Sequence, residues 1–319
     1  MLKEALKASF SDFRGDFNMI ETKTISKKRK IAIVEAFIGY SIFGFSFLFS
    51  KKVLEFTDEY VLLGLRFSFV FLIMNLLMLT GKMKVNFKDK PIGYLLILGI
   101  LQPVIYFSCE IGGIKLIDTS LVGILIALTP ILSMVMGIIF LNEKVNMIQK
   151  ISVLASVFGV ILTTAGQIGG EFNIKGLLYI LCAVMAGSIY NLISRKSSSS
   201  FSAFEMTYVM FAIGFVYFTS RAFIRIDGDY VGKLFLPLQN KMLWIALIYL
   251  SCISSVGAFM LINHAVSYLS VSRISVFANV TTVISILAGV FILKEKFSLY
   301  QAIGSIIIIL GVYGANKEK

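Results

Sequence analysis

The sequence predicts an all-α integral membrane protein of ten transmembrane helices, built as two inverted five-helix repeats. Three observations lead there: the composition, a series of apolar segments of one length, and a phrase of sequence that occurs twice. The 319 residues are 57% hydrophobic and only 15% charged, with a mean hydropathy of +0.87. Ordinary soluble domains carry about 25% charged residues. A chain this apolar needs lipid as its solvent.

The apolar segments run in order over residues 31–50, 60–80, 91–110, 119–141, 147–166, 175–194, 203–222, 243–264, 272–293 and 299–316. A helix needs about 20 residues to cross the hydrocarbon core. Barrel strands would be about half as long and would alternate, and nothing here alternates. The connectors are short and rich in Lys, Asp, Glu and Gly. The longest, about 223–242, is too small to be a soluble domain, so function must lie between the helices.

Lys and Arg favour the cytoplasmic side. With the N-terminus inside, 19 of the 30 basic residues fall on the inner side, and most of that excess comes from the tail and from GKMKVNFKDK at 81–90. Both termini are therefore expected in the cytoplasm, in a bacterial-type inner membrane. The net charge of +12 calls for no nucleic acid. Residues 1–30 form a cytoplasmic tail. Leu2, Leu6, Phe10, Phe13, Phe17 and Ile20 recur at helical spacing within it. That pattern fits an amphipathic helix on the inner leaflet, or a plain leader with translation starting at Met19. Cys109, Cys182 and Cys252 lie in apolar spans without metal-ligand spacing, and are expected to be small buried residues without a disulfide. No metal or other cofactor is expected.

The repeated phrase is GIIFLNEKVNMIQKI at 137–151 and GVFILKEKFSLYQAI at 289–303. With the chain shifted by 152, ten positions match between 129–160 and 281–312, Glu143/Glu295, Lys144/Lys296 and Gln149/Gln301 among them. Residues 31–166 thus form one unit and 171–316 a second. A tandem copy of an odd-numbered unit enters the bilayer upside down, and inverted repeats of this kind suit alternating access.

The text ALTPILSMVMGIIFLNEKVNMIQKISVLASVFGVIL at 127–162 resembles the drug/metabolite transporter superfamily in its EamA-like branch. The Pro in helix four, the acidic turns (Glu143, Glu295), Gly159 and Gly311, and Arg66 in LLGLRFSF carry the likeness. The resemblance implies ten helices in two inverted halves. It also implies a central cavity lined by helices one, three, four, six, eight and nine, with five and ten on the periphery. Thr282 stands where the first repeat has Pro130, so helix nine is expected to bend less.

Polar groups in lipid are costly and are expected to face the bundle interior. Arg66 sits about 9 Å into helix two at 1.5 Å per residue. It reads as a structural staple or a snorkelling side chain, with one of Glu110 and Asp118, both on the same outer side, as its charge partner. Glu35, about 6 Å inside helix one, reads as a coupling carboxylate or as a group reaching headgroup water. His264, the only histidine, reads as a coupling group or as a solvated side chain. The Glu-Lys pairs at 143–144 and 295–296 read as caps of tight turns.

Pro103 and Pro130 lie deep in their spans, where proline frees a carbonyl. They are candidate hinges, or else packing kinks. The candidate substrate-binding residues are Tyr40, Asn75, Gln102, Tyr106, Thr129, Tyr190, Asn191, Asn279, Thr281 and Thr282. Each alone reads most simply as a satisfied core polar group. As a set they suit a small amphipathic solute, zwitterionic or neutral.

The expected function is secondary export of amino acids or related small metabolites by a monomer whose other contacts are lipid. The alternative is proton-coupled efflux of cationic drugs through Glu35. A remote third, an intramembrane enzyme, lacks a paired mid-span nucleophile and base.

Overall fold

The computed structural model describes residues 2–81, 84–129, 131–133, 135–136, 147–165, 173–269 and 271–316, with backbone alone for 2–27 and for scattered later positions. Pro130 and the Glu143-Lys144 turn lie outside the described residues, as does the side chain of Asn279. Among the described residues every regular element is a helix.

The first helix, α1 (Leu2–Leu54), is longer than the expected span because its backbone stays helical back to Leu2. The apolar part, Lys28–Leu54, is one of six helices long and apolar enough to cross a membrane. The others are α2 (Glu59–Leu79), α3 (Gly93–Leu116), α6 (Ile174–Ser194 within Ile174–Ser197), α7 (Ala203–Ile226) and α8 (Lys241–Val266). Shorter apolar helices follow, α4 (Thr119–Ile126), α5 (Met147–Ala165), α9 (Val271–Leu287) and α10 (Leu299–Asn316), and a short helical stretch over residues 231–238 links α7 to α8.

Local chemistry starts these helices. Asp58 accepts from the Tyr60 amide at 2.9 Å, and Asn173 accepts from the Gly176 amide at 3.0 Å. Ser202 and Glu205 form a reciprocal capping box at the start of α7. Each side chain takes up an amide that the first helical turn leaves unpaired.

Helix three does not stop at Glu110. It runs on to Leu116, where Ile117 turns to extended backbone. Gly112 and Gly113 lie within it and let α6 approach, facing Tyr179 and Ile180. Glu110 is therefore an interior residue of α3 and not its end. The helix also widens into a π turn over Ile100–Tyr106, with Pro103 inside it. Proline cannot donate to the i−4 carbonyl, and the wider turn absorbs that loss. In α8 a π segment spans Tyr249–Ala258 with no proline, and α9 passes into a π turn over Ala288–Ile292.

Packing pairs α2 with α7, α3 with α6, and α1 with α8 and α9. The α5–α10 pair lies alongside. There Gly304 and Gly159 face each other so closely that a Cβ on Gly304 would sit 2.7 Å from the Gly159 carbonyl. Such small-residue contacts let helix backbones approach in lipid. Leu154, Ile161, Ile306 and Leu310 of this pair are each more than half exposed. That is the surface expected of helices whose outer face meets acyl chains. Cys182 and Cys252 likewise face outward, against the expectation of burial, and all three cysteines are free.

Candidate functional site

A cavity of about 100 Å³ lies within the bundle. Ligand pockets for drug-sized molecules hold roughly 300–1,000 Å³, so this space suits a small solute. Residues of α1, α3, α4, α6, α8 and α9 border it, and Arg66 reaches in from α2.

One wall comes from α3. Gln102, Tyr106 and Glu110 are spaced four apart, so they share one strip of the helix, and all three face the cavity. Phe107 lies beside them, with Phe43, Phe47 and Phe259 supplying further aromatic surface. Tyr40 enters from α1. Thr129, just past α4, borders the space while its hydroxyl donates to the Ile126 carbonyl at 2.7 Å.

The opposite wall holds Tyr190 and Asn191 of α6, Asn263 of α8 and Thr281 of α9. The Tyr190 hydroxyl donates to Asn263 Oδ1 at 3.2 Å, and Asn263 Nδ2 donates to Thr207 Oγ1 at 2.9 Å. Thr281 donates to the Tyr40 carbonyl at 2.8 Å. These side chains are oriented by neighbours before any solute arrives, which limits the ordering cost of binding.

Two charged groups share this space. Arg66 is 2% exposed and Glu110 is 6% exposed. Arg66 Nε donates to Ser255 Oγ at 3.0 Å, and the guanidinium carbon lies 4.5 Å from the Phe107 ring centre. The Tyr106 hydroxyl faces the Glu110 carboxyl. Among the described residues, Glu110 and Arg66 form no ion pair within 4.0 Å, with each other or with any other group.

Seven of the sequence candidates meet at the cavity: Tyr40, Gln102, Tyr106, Thr129, Tyr190, Asn191 and Thr281. Two lie elsewhere. Asn75 donates to the Phe71 carbonyl at 2.7 Å and accepts from Tyr208 at 3.1 Å, between α2 and α7. Thr282 donates to the Gly123 carbonyl at 2.8 Å, tying α9 to α4. Pro103 packs between α3 and Gly214 of α7. Asn263, Ser254 and Phe259 border the cavity without having been singled out from sequence. Asn263 stood next to the lone histidine, and its burial marks it as the inward-facing member of that pair.

The remaining charged candidates sit at the two ends of the bundle. Glu35 Oε2 and His264 Nδ1 are 2.7 Å apart, and neither borders the cavity. At the other end Lys51 donates to the carbonyls of Ile114 and Ile117 at 2.7 and 3.0 Å. Asp118 is beside this lysine and near Glu295. Burial first, and then the Glu295 carboxylate, push the Asp118 carboxyl above its usual range, with Lys51 pulling it back. Glu295 accepts from the backbone amides and hydroxyls of both Thr119 and Ser120.

The model of the EamA-like transporter family matches the chain twice, over residues 30–165 and 174–317. The chain belongs to the EamA-like transporter family. The uncharacterized transporter YcxC of Bacillus subtilis (strain 168) is 33% identical over 288 residues, covering 89% of this chain and 92% of that protein. An uncharacterized transporter of Archaeoglobus fulgidus is 22% identical over 282 residues, covering 88% and 96%. A solved crystal structure superposes with a TM-score of 0.64 at 17% identity, over 90% of this chain and 97% of that one, and speaks to the fold alone. This EamA-like protein is thus a multi-pass membrane transporter.

Proposed function

We propose that this EamA-like transporter is a secondary exporter of amino acids or related small metabolites, working by alternating access. The observation that carries the reading is the cavity itself. It lies between helices drawn from both matched segments, and its wall mixes aromatic, amide, hydroxyl and charged side chains. In this reading the chain crosses the membrane ten times, with both termini in the cytoplasm, and residues 31–166 and 171–316 are the two inverted units. The double family match and the ten sequence matches at a spacing of 152 support the duplication.

Inverted units exchange conformations around a shared centre, opening the cavity first to one side and then to the other. In the described state one end is tied by Lys51 and Glu295 and the other by Glu35 and His264. Those ties would break alternately. Proton-coupled efflux of cations through Glu35 has less support, because Glu35 lies away from the cavity.

Counterflow in proteoliposomes tests the reading. Purified protein is offered labelled L-leucine, uridine and tetramethylammonium, each with an inward and an outward gradient. Exchange of leucine well above that of empty vesicles is expected. Cysteine substitution at Glu143 and Glu295, with an impermeant thiol reagent, tests the inversion. The two positions are expected to label from opposite faces, and labelling from one face would end the alternating-repeat reading.

A further inference from the structure

We infer that Arg66 and Glu110 are the two poles of the solute site, Arg66 receiving a carboxylate and Glu110 an ammonium of one zwitterionic molecule. The inference rests on the transport reading above and deepens it.

The argument starts from the cost of a charge in lipid. A buried charge without a partner is held at high cost, so ionisable groups inside a membrane bundle mark ligand or ion paths. Three other acidic groups of the bundle have cationic partners at short range. Glu205 has Lys90 at 2.9 Å, Glu59 has Lys115 at 2.7 Å, and Asp58 has Arg225 at 3.0 Å. Glu110 has none within 4.0 Å among the described residues, and its protein contact is the Tyr106 hydroxyl. Arg66 is held through Nε alone, by Ser255, with Phe107 against its flat face. Its two η nitrogens have no hydrogen-bond partner among the described residues. They form the end of the guanidinium fork that pairs with a carboxylate in two parallel bonds.

The placement is also right for one solute. Phe107 and Glu110 are one turn apart on α3, and Phe107 is the ring that Arg66 covers. The cation and the carboxylate therefore border the same small space without touching. Together they add no net charge to the cavity, so a zwitterion satisfies both poles while keeping the interior neutral. An analogue with only one charge leaves the other pole unpaired in a low-dielectric site. The aromatic surface of Phe43, Phe47 and Phe259 would take an apolar side chain.

The test uses purified full-length protein in proteoliposomes with three probes of one skeleton: L-leucine, leucinamide and 4-methylpentanoate. The wild type is expected to exchange leucine at least tenfold better than either singly charged probe. Glu110→Gln is expected to shift preference toward 4-methylpentanoate, and Arg66→Gln toward leucinamide. This crossed pattern is one that a purely structural ion pair would not produce. Gel filtration and thermal unfolding report whether each variant folds. If neither does, the wild-type ranking of the three probes decides alone.

Equal exchange of leucine and one singly charged probe by the wild type would overturn the assignment. So would a proportional loss of all three probes in both folded variants. Exchange of uridine or tetramethylammonium without leucine would sink the two-pole site and leave transport standing. Absence of exchange for every probe would remove the transport reading and the site with it.

Discussion

Glu295 caps a helix that begins at Thr119, 176 positions earlier in the chain: its carboxylate takes the Thr119 amide at 2.9 Å and the Thr119 hydroxyl at 2.5 Å. Its other oxygen takes the Ser120 amide at 3.0 Å and hydroxyl at 2.6 Å. A negative group at a helix N-terminus satisfies orphan amides and meets the positive end of the dipole. Removing a cap costs about 0.5–2 kcal/mol, and a hydrogen bond to a charged group about 1.5–3 kcal/mol. Glu295→Ala is expected to lower the thermal midpoint in detergent, with a loss of about 2 kcal/mol. Glu295→Gln should lose less, because its single carbonyl keeps part of the set. Equal midpoints for wild type and Glu295→Ala would show that the cap is idle.

Asp118, next to that cap, gives a pH prediction. Its carboxyl is pushed above the ordinary 3.8 in the folded protein, mainly by burial. A raised folded value means the native state holds the proton more tightly than the unfolded chain does. The charged form therefore costs stability at neutral pH. The cost declines as pH falls through the raised folded value and is gone below the ordinary one. Asp118→Asn is expected to raise the midpoint at pH 7, with a gain that shrinks toward zero near pH 4. A gain that grows on acidification would contradict this sign.

The α5–α10 contact gives a prediction separate from the solute. A Cβ on Gly304 would lie 2.7 Å from the Gly159 carbonyl and would also press on Thr163. Overpacking of a close contact costs about 1–3 kcal/mol. Gly304→Val is expected to lower stability by that order. Solute preference should stay unchanged, since neither helix borders the cavity. A change in preference with stability intact would be the opposite result.

Asn263 ties Tyr190 of α6 to Thr207 of α7. Asn263→Leu removes both bonds, while Thr207 keeps its bond to the Ala203 carbonyl and Tyr190 its contact with the Met210 sulfur, so the loss is that of ordinary hydrogen bonds at about 0.5–1.5 kcal/mol each. Lower stability and weaker solute exchange are both expected. Restoration by Asn263→Gln would point to reach alone, whereas Asn263→Asp should not restore it, because a carboxylate cannot donate to Thr207.

The Glu35–His264 contact is half open, with side-chain exposures of 19% and 49%. Exposed pairs of this kind are worth about 0–1 kcal/mol. Glu35→Gln is accordingly expected to leave both stability and leucine exchange near wild type. Abolished exchange under a proton gradient would favour the cation-efflux alternative.

Much of the helical text was legible because a bilayer demands one length and one polarity. The spans at 60–80 and 203–222 lie within a residue or two of α2 and the start of α7, where Asp58 and Ser202 give local stop and start chemistry. Helix three runs past the end its text suggests, because Gly112 and Gly113, which locally resemble a boundary, serve the packing of α6 through Tyr179 and Ile180. Depth along a helix follows from residue count, but azimuth does not. That is why Arg66 reads from sequence as a staple near a membrane face and proves to border the cavity. Asn75 lies off the cavity for the same reason, as it turns toward Tyr208. The 295–296 pair reads from sequence as a cap of its own tight turn, whereas Glu295 caps the distant helix at Thr119, a target that local text does not name.

The Arg66–Ser255 bond joins positions 189 residues apart. During synthesis the second hydrophobic segment is released long before Ser255 exists. An arginine at the centre of a lone helix costs about 2.5–3.5 kcal/mol on insertion scales. The newborn segment must therefore shelter its guanidinium at the headgroups or in a water defect until the eighth segment emerges. A chain truncated before Ser255 would lack the hydroxyl that houses it.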